Sequence, residues 1–222
     1  IELSKGTYWC QLASDDLMDE RNIQMKVDFL KRNPRFDAVC SDAYVLEPDH
    51  SVRRMIPPKV KPNPLEVKHI RDLFRTKIFF SSLLFRKSVF DRIGNFDESM
   101  RHYEDKEMKL RLQIYCKVGY IDESLVTWRS HASNTSKIKA ISRKEKIIAY
   151  EKIFSLPEMK GHRLLRRKML GDEYYKYARF LIDQGETDGD HRVSWYLRHS
   201  LALHPFRPKG YYYLMKIYFR NL

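Results

Sequence analysis

An ordered alternation in residues 1–46 constrains the fold more than any other feature of this chain. The aromatic, apolar run Thr7-Tyr8-Trp9-Cys10-Gln11-Leu12 follows Gly6 and stops at Ala13-Ser14-Asp15-Asp16, as a strand entering a sheet does. Ile23, Val27 and Leu30 then recur at helical spacing, with Met25 and Phe29 widening the stripe, until Asn33-Pro34 ends it. Residues 37–46 read as a second strand. Strand, helix and strand in that order predict a crossover unit of an α/β sheet.

Residues 47–64 carry Pro48, Pro57, Pro58, Pro62 and Pro64 among charges, which predicts a surface excursion on the ligand side. Short helices are expected over 65–74 and 86–93, the second closed by Gly94. Residues 79–85 read as a buried apolar segment, and Asn95-Phe96-Asp97-Glu98 is turn chemistry. A helix over 104–116 puts Met108, Leu112 and Tyr115 on one side, and two short strands follow over 118–121 and 125–128. After Ser136 the pattern is helical throughout. Tyr174, Tyr177, Ala178 and Leu181 form one stripe closed by Gly185, and Trp195, Leu197, Leu201 and Leu203 lie in the next helix. Residues 174–205 resemble a single tetratricopeptide-type hairpin of about 34 residues, and read equally as a plain helical extension.

Charge divides the chain at the same place. The 42 Lys/Arg and 29 Asp/Glu give a net charge of +13. Residues 1–136 carry only +3 of it, whereas residues 137–222 hold 19 Lys/Arg against 9 Asp/Glu, +10. A basic helical end suits an anionic membrane surface or another polyanion. Nucleic acid fits less well, because the aromatics there sit at helix-core spacing and no recognition motif accompanies them. With 43% hydrophobic residues the chain folds, yet no apolar run approaches the ~20 residues that span a bilayer. Cys10, Cys40 and Cys116 are odd in number and lack metal-type spacing, which points to a reducing compartment. A cytoplasmic protein, peripheral at the inner membrane face, is therefore expected.

Two acidic pairs carry the candidate chemistry. Asp15-Asp16 fall at a strand-to-helix junction, where open α/β sheets bind ligands. There one carboxylate serves as a helix cap or as a ligand of Mg²⁺ or Mn²⁺ with phosphate oxygens. Glu104-Asp105 open a helix, where a carboxylate acts as a cap or as a general base. His131 follows the strand ending Trp128-Arg129-Ser130. Its imidazole suits a further cation ligand, and Arg129 suits a phosphate.

The ordered series is more specific than its parts. Gly6-Thr7-Tyr8, Ser14-Asp15-Asp16-Leu17, Phe29-Leu30-Lys31-Arg32-Asn33-Pro34 and Cys40-Ser41-Asp42 come first. Ser81-Ser82-Leu83-Leu84-Phe85-Arg86, Gly94-Asn95-Phe96-Asp97-Glu98 and Glu104-Asp105 follow. Leu110-Arg111-Leu112, Gly119-Tyr120-Ile121-Asp122 and Trp128-Arg129-Ser130-His131 complete it. Over roughly residues 1–136 this resembles the family-two glycosyltransferases of the GT-A fold.

The resemblance implies a GT-A-like mixed sheet flanked by helices over 1–136, incomplete at the N-terminus, followed by an all-α region over 137–222. It implies inverting, metal-assisted sugar transfer from a nucleotide-sugar donor to a glycan or lipid-linked acceptor. Asp15 and Asp16 match the family's DXD-type motif, so they would contact the donor together with Arg129. Asp16 and His131 would hold the divalent cation, Mn²⁺ or Mg²⁺. Asp105 matches the general base, Glu104 would assist acceptor binding or positioning, and Ser81, Ser82, Asp97 and Glu98 would border the acceptor cleft. The sequence departs from the pattern twice. Ala13 stands where the family often has the first Asp of Asp-Ser-Asp-Asp. The N-terminal strands with the first nucleotide-binding acid are expected before Ile1, so the chain reads as a piece of a longer protein. The rival class is a non-catalytic, transferase-like module that binds a partner or a membrane surface.

Overall fold

The computed structural model describes residues 1–55, 72–74, 78–131, 134, 139–186 and 192–220. It divides into two compact units, Ile1–Glu98 with Glu104–Lys137, and Ser99–Tyr103 with Ile138–Leu222. Most of the predicted helix over 65–74 and the proline-rich part of 47–64 lie outside the described residues.

Among the described residues the first unit is a six-stranded mixed sheet flanked by helices. Its strands are β1 (Tyr8–Cys10), β2 (Leu17–Met18), β3 (Ala38–Leu46), β4 (Val52–Arg54), β5 (Leu83–Arg86) and β6 (Val118–Arg129). The order is β1-β5-β3-β6-β2, with β4 hairpinned onto the end of β3. Both β1 and β3 run antiparallel to β5, and β6 runs parallel to β3. Hence β1, β3 and β6 run the same way; β5 begins beside Cys10 and Cys40, and β3 and β6 continue past it to Leu46 and Arg129. Helix α1 (Asn22–Arg32) makes the crossover from β1 to β3, as the alternation predicts. Helices α2 (Val89–Ile93) and α3 (Glu104–Tyr115) follow β5. Gly94 ends α2 at φ +76°, a conformation that a residue without Cβ adopts freely.

Side-chain alternation distributes the core over both faces. Ala38 and Cys40 of β3 pack with Phe85, Val89, Met108 and Leu112, while Val39 packs with Leu30, Phe36 and Leu84. Trp9 stands among Phe85, Phe90 and Phe96, at ring separations of 5.2–6.0 Å. Gly119 admits the Phe29 ring against β6, since a Cβ there would lie 2.3 Å from it.

Two local expectations change. The strands expected over 118–121 and 125–128 are one strand, β6. Its register against β3 slips between Ser41 and Asp42 and again between Asp42 and Ala43, which absorbs the polar Asp122-Glu123 without ending the strand. The buried face of α1 is Asn22, Lys26 and Leu30, while Ile23 is exposed. Asn22 sets that rotation because its side-chain amide donates to the Leu125 carbonyl at 2.6 Å.

The second unit contains α4 (Lys139–Ser155), α5 (Arg163–Asp183), α6 (Arg192–Leu203) and α7 (Pro208–Arg220), each packed on the next. Ser99–Tyr103 joins it through Glu145, whose carboxylate accepts the backbone N–H groups of Arg101 and His102 at 2.9 and 2.8 Å. Helices α5 and α6 cross at Gly171, whose carbonyl accepts Ser200 Oγ at 2.7 Å. No described helix is long and apolar enough to cross a membrane.

Candidate functional site

The segments after β1, before β5 and after β6 carry most of the candidate side chains, and the antiparallel pairing of β2 with the end of β6 draws them together. After β1 the chain turns tightly, Asp16 N–H donating to the Ala13 carbonyl at 3.1 Å, so Asp15 and Asp16 diverge from one turn. Asp16 points inward. It is 8% exposed, and its Oδ1 accepts the Arg129 N–H at 3.2 Å where β6 ends. Its Oδ2 meets Ser81 Oγ at 3.4 Å, just before β5. Burial pushes the Asp16 carboxyl above the usual range, and the Arg129 N–H opposes that shift.

Asp15 points outward to His131, with Nε2 2.7 Å from Oδ2. That hydrogen bond holds the Asp15 carboxyl below its ordinary value. Asn134 organises the turn, its Oδ1 accepting the His131 N–H at 2.7 Å and its amide donating to the Arg129 carbonyl at 3.2 Å. Asn134 Nδ2 also lies 2.9 Å from His131 Nε2. One ring nitrogen cannot donate to Asp15 and accept from Asn134 together, so the Nε2–H tautomer serves Asp15 and leaves the amide to Arg129.

Asp105 lies in the first turn of α3, with Lys109 Nζ 3.4 Å from its Oδ2 one turn on. The same amine donates to the Ile78 carbonyl at 3.1 Å, three residues before Ser81. Burial lowers the Lys109 ammonium below its ordinary value, and Asp105 opposes that. Glu104 begins the same helix.

The expected acceptor residues divide. Ser81 turns to Asp16, whereas Ser82 is fully buried and donates to the Phe79 carbonyl at 2.7 Å, closing its own turn. Asp97 and Glu98 lie in the turn after α2, next to Phe96, which packs on Trp9 and Phe80. Asp16 and His131, expected as a ligand pair, have different partners, and it is Asp15 that His131 meets. Among the described residues no group of three or more His, Cys, Asp or Glu side chains converges to hold a metal ion. Asp15 supplies a carboxylate oxygen, and His131 Nε2 beside it becomes a second ligand once the ring proton moves to Nδ1. A cation there would draw its other ligands from water and phosphate, as Mg²⁺ does.

Sequence reasoning missed Asn134, Lys109 and Lys26. The first two had signals, Asn134 within reach of a side-chain bond back to the backbone of residue i−3 and Lys109 at i+4 from Asp105. Lys26 had none. It is 1% exposed, and burial lowers its ammonium to about 8.

The mixed sheet with flanking helices, followed by further helices, is shared with a solved structure. The chain is similar to the crystal structure of residues 1–349 of S. aureus TarS in complex with UDP-GlcNAc, with a TM-score of 0.63 over 91% of this chain and 59% of that one. Identity there is 12%, so the likeness is one of fold. In sequence, the chain is 26% identical over 140 residues to an uncharacterized glycosyltransferase of Rickettsia conorii, and 27% identical over 140 residues to one of Rickettsia felis. A third, from Rickettsia prowazekii, is 26% identical over 143 residues. These alignments cover 61–62% of this chain. They span 23% of the length of the first two relatives and 43% of the third. No family model matches. The relatives support a glycosyltransferase role in general terms.

Proposed function

We propose that residues 1–136 act in inverting sugar transfer from a nucleotide-sugar donor to a hydroxyl of a glycan or lipid-linked acceptor, on a GT-A-type sheet. The observation that carries this reading is the convergence of Asp15, Asp16, Ser81, Arg129 and His131 at the end of β6, with Asp105 tied to the segment before Ser81 through Lys109 and Ile78.

In this reading Asp105 takes the proton of the acceptor hydroxyl as that oxygen attacks the anomeric carbon from the face opposite the leaving diphosphate. Lys109, 3.4 Å from Asp105 Oδ2, orients the base. Glu104 helps to position the acceptor. Arg129 presents a guanidinium to the diphosphate at the end of β6. Asp16 is committed to Ser81 and the Arg129 N–H, so it shapes the turn from which Asp15 faces the donor. A divalent cation, Mn²⁺ or Mg²⁺, held by Asp15 and His131 with Asp16 behind them, would offset charge on the departing diphosphate.

The test measures transfer and nucleotide binding separately in the full-length protein. Asp105→Asn is expected to lower transfer by about 10²–10⁴-fold while uridine or guanosine diphosphate still binds. An undiminished rate in Asp105→Asn overturns the base assignment. Absence of nucleoside-diphosphate binding, with Mn²⁺ and after chelation alike, overturns the donor reading.

A further inference from the structure

The outer face of α7 is apolar and uncovered. Tyr211, Tyr212, Met215, Tyr218 and Phe219 are all exposed. At about 100° per residue they fill an arc of about 120°, with Lys209 and Lys216 along one flank. The inner face is packed. Gly210 closes on Leu201 of α6, Tyr213 meets Tyr175 of α5, and the Arg179 guanidinium lies 4.1 Å from the Tyr213 ring centre. The exposed stripe is thus the side of a docked helix that its own unit does not use.

Two further apolar side chains lie where α7 begins. Phe206 is 89% exposed, and Leu164 in the first turn of α5 is 83% exposed. Arg167 Nε donates to the Leu203 carbonyl at 3.1 Å, which brings the start of α5 to the α6–α7 turn. Cations surround these residues. Arg163, Arg166, Arg167 and Lys168 follow one another with no carboxylate before Asp172, and Asp172 pairs with Arg207. Residues 192–220 contain six Lys/Arg and no Asp or Glu.

An apolar arc rich in Tyr and Phe, flanked by lysines and free of acids, is what a helix lying in a bilayer interface presents. Aromatic rings occupy the headgroup–acyl boundary, and Lys or Arg side chains reach up to phosphates. We propose that this face docks on an anionic lipid bilayer, with the outer stripe of α7 and Leu164 and Phe206 at the acyl boundary and the basic residues of α5 and α7 on lipid phosphates. Charge complementarity selects this occupant. A second copy would bring the same basic surfaces together, and a nucleic acid gains nothing from the aliphatic Leu164 and Met215. The inference is independent of the sugar-transfer reading.

The full chain is sedimented with vesicles of phosphatidylcholine alone and with about one third phosphatidylglycerol. Binding is expected only to the anionic vesicles. Arg163→Gln, Arg166→Gln and Lys168→Gln together should weaken it up to about 100-fold, at up to about fivefold per charge. Tyr212→Ser, Met215→Ser and Phe219→Ser together should abolish it with the circular dichroism unchanged. As a gain of signal, the indole emission added by Phe219→Trp should blue-shift on anionic vesicles and be quenched by brominated acyl chains. Equal binding to neutral vesicles, or no shift in that emission, overturns the proposal. So does a dimer that the serine variants dissociate, or retention on polyuridylate, with no vesicle binding.

Discussion

His131 Nε2 lies 2.7 Å from Asp15 Oδ2, although the two residues are 116 positions apart in the chain. The contact exists because β2 runs antiparallel to the end of β6, Leu17 opposite Thr127, which brings the residues before β2 alongside those after β6. It makes the imidazole the main cause of the lowered Asp15 carboxyl. His131→Ala is expected to return that carboxyl upward, read by carboxyl NMR titration. A depressed acid stabilises the fold above its unfolded pKa, and that contribution fades as pH falls through the folded one. Asp15 is exposed to solvent, so the stability change should stay below about 0.5 kcal/mol. Donor affinity in the presence of Mn²⁺ should fall by about 10-fold or more. A carboxyl titration that does not move in His131→Ala would contradict the contact.

Lys109 bridges Asp105 and the Ile78 carbonyl, and its removal takes a cation away from the proposed base. In Lys109→Met kcat should fall about 10-fold or more while nucleoside-diphosphate affinity stays unchanged, because the base loses the contact that orients it. Lys109→Arg keeps the charge and should restore part of that rate. Equal kcat in all three proteins would confine Lys109 to a structural role.

Lys26 sits in α1 at 1% exposure with its ammonium lowered to about 8, chiefly by burial. The unfolded chain keeps the ordinary lysine value of about 10.4, so below pH 8 folding carries the whole cost of burying the charge. Between about pH 8 and pH 10 the unfolded state binds more protons, and stability should rise with pH. The thiol of Cys40, pushed up to about 12 by burial, acts in the opposite sense above pH 9, so the readable quantity is a difference between variants. Lys26→Met should be more stable than the parent at pH 7 by up to about 3 kcal/mol, and the gap should narrow toward pH 10. Urea unfolding at both pH values measures it, and a gap that does not depend on pH refutes the assignment.

The alternation that announced β1, α1 and β3 was legible because apolar positions such as Trp9, Leu30, Ala38 and Val39 face a core whose geometry follows local period. Asp15, Asp16, Asp105, Arg129 and His131 were legible as candidates from residue type and position, but their pairings were not. Whether His131 meets Asp15 or Asp16 depends on how the Ala13–Asp16 turn splays two adjacent carboxylates, and no sequence period records that. Ser81 and Ser82 look alike in sequence, yet a short 3₁₀ turn sends one hydroxyl to Asp16 and the other to Phe79. The polar Asp122-Glu123 suggested a break that the slip in β3–β6 register absorbs. Asn22 and Lys26 are the clearest failures of periodicity. A single hydrogen bond to Leu125 turns α1 so that a polar and a charged residue face inward in place of Ile23.

Gly119 offers the most direct test of the packing beneath the site. A Cβ at this position would lie 2.3 Å from Phe29 Cε1 and 2.6 Å from Cζ, so α1 rests on β6 only because residue 119 has no side chain. The Phe29 ring has little freedom to withdraw, because Phe36 lies against it at 5.5 Å between ring centres. Gly119→Ala is therefore expected to cost about 1–3 kcal/mol of stability, the range for overpacking a filled core. Phe29→Leu alone should also destabilise, by loss of buried area. Combined with Gly119→Ala it should recover part of the loss, because the shorter side chain leaves room for the new methyl. A double-mutant cycle by urea unfolding would show a coupling of about 1 kcal/mol or more. Strict additivity of the two changes would mean that α1 and β6 do not meet through this pair.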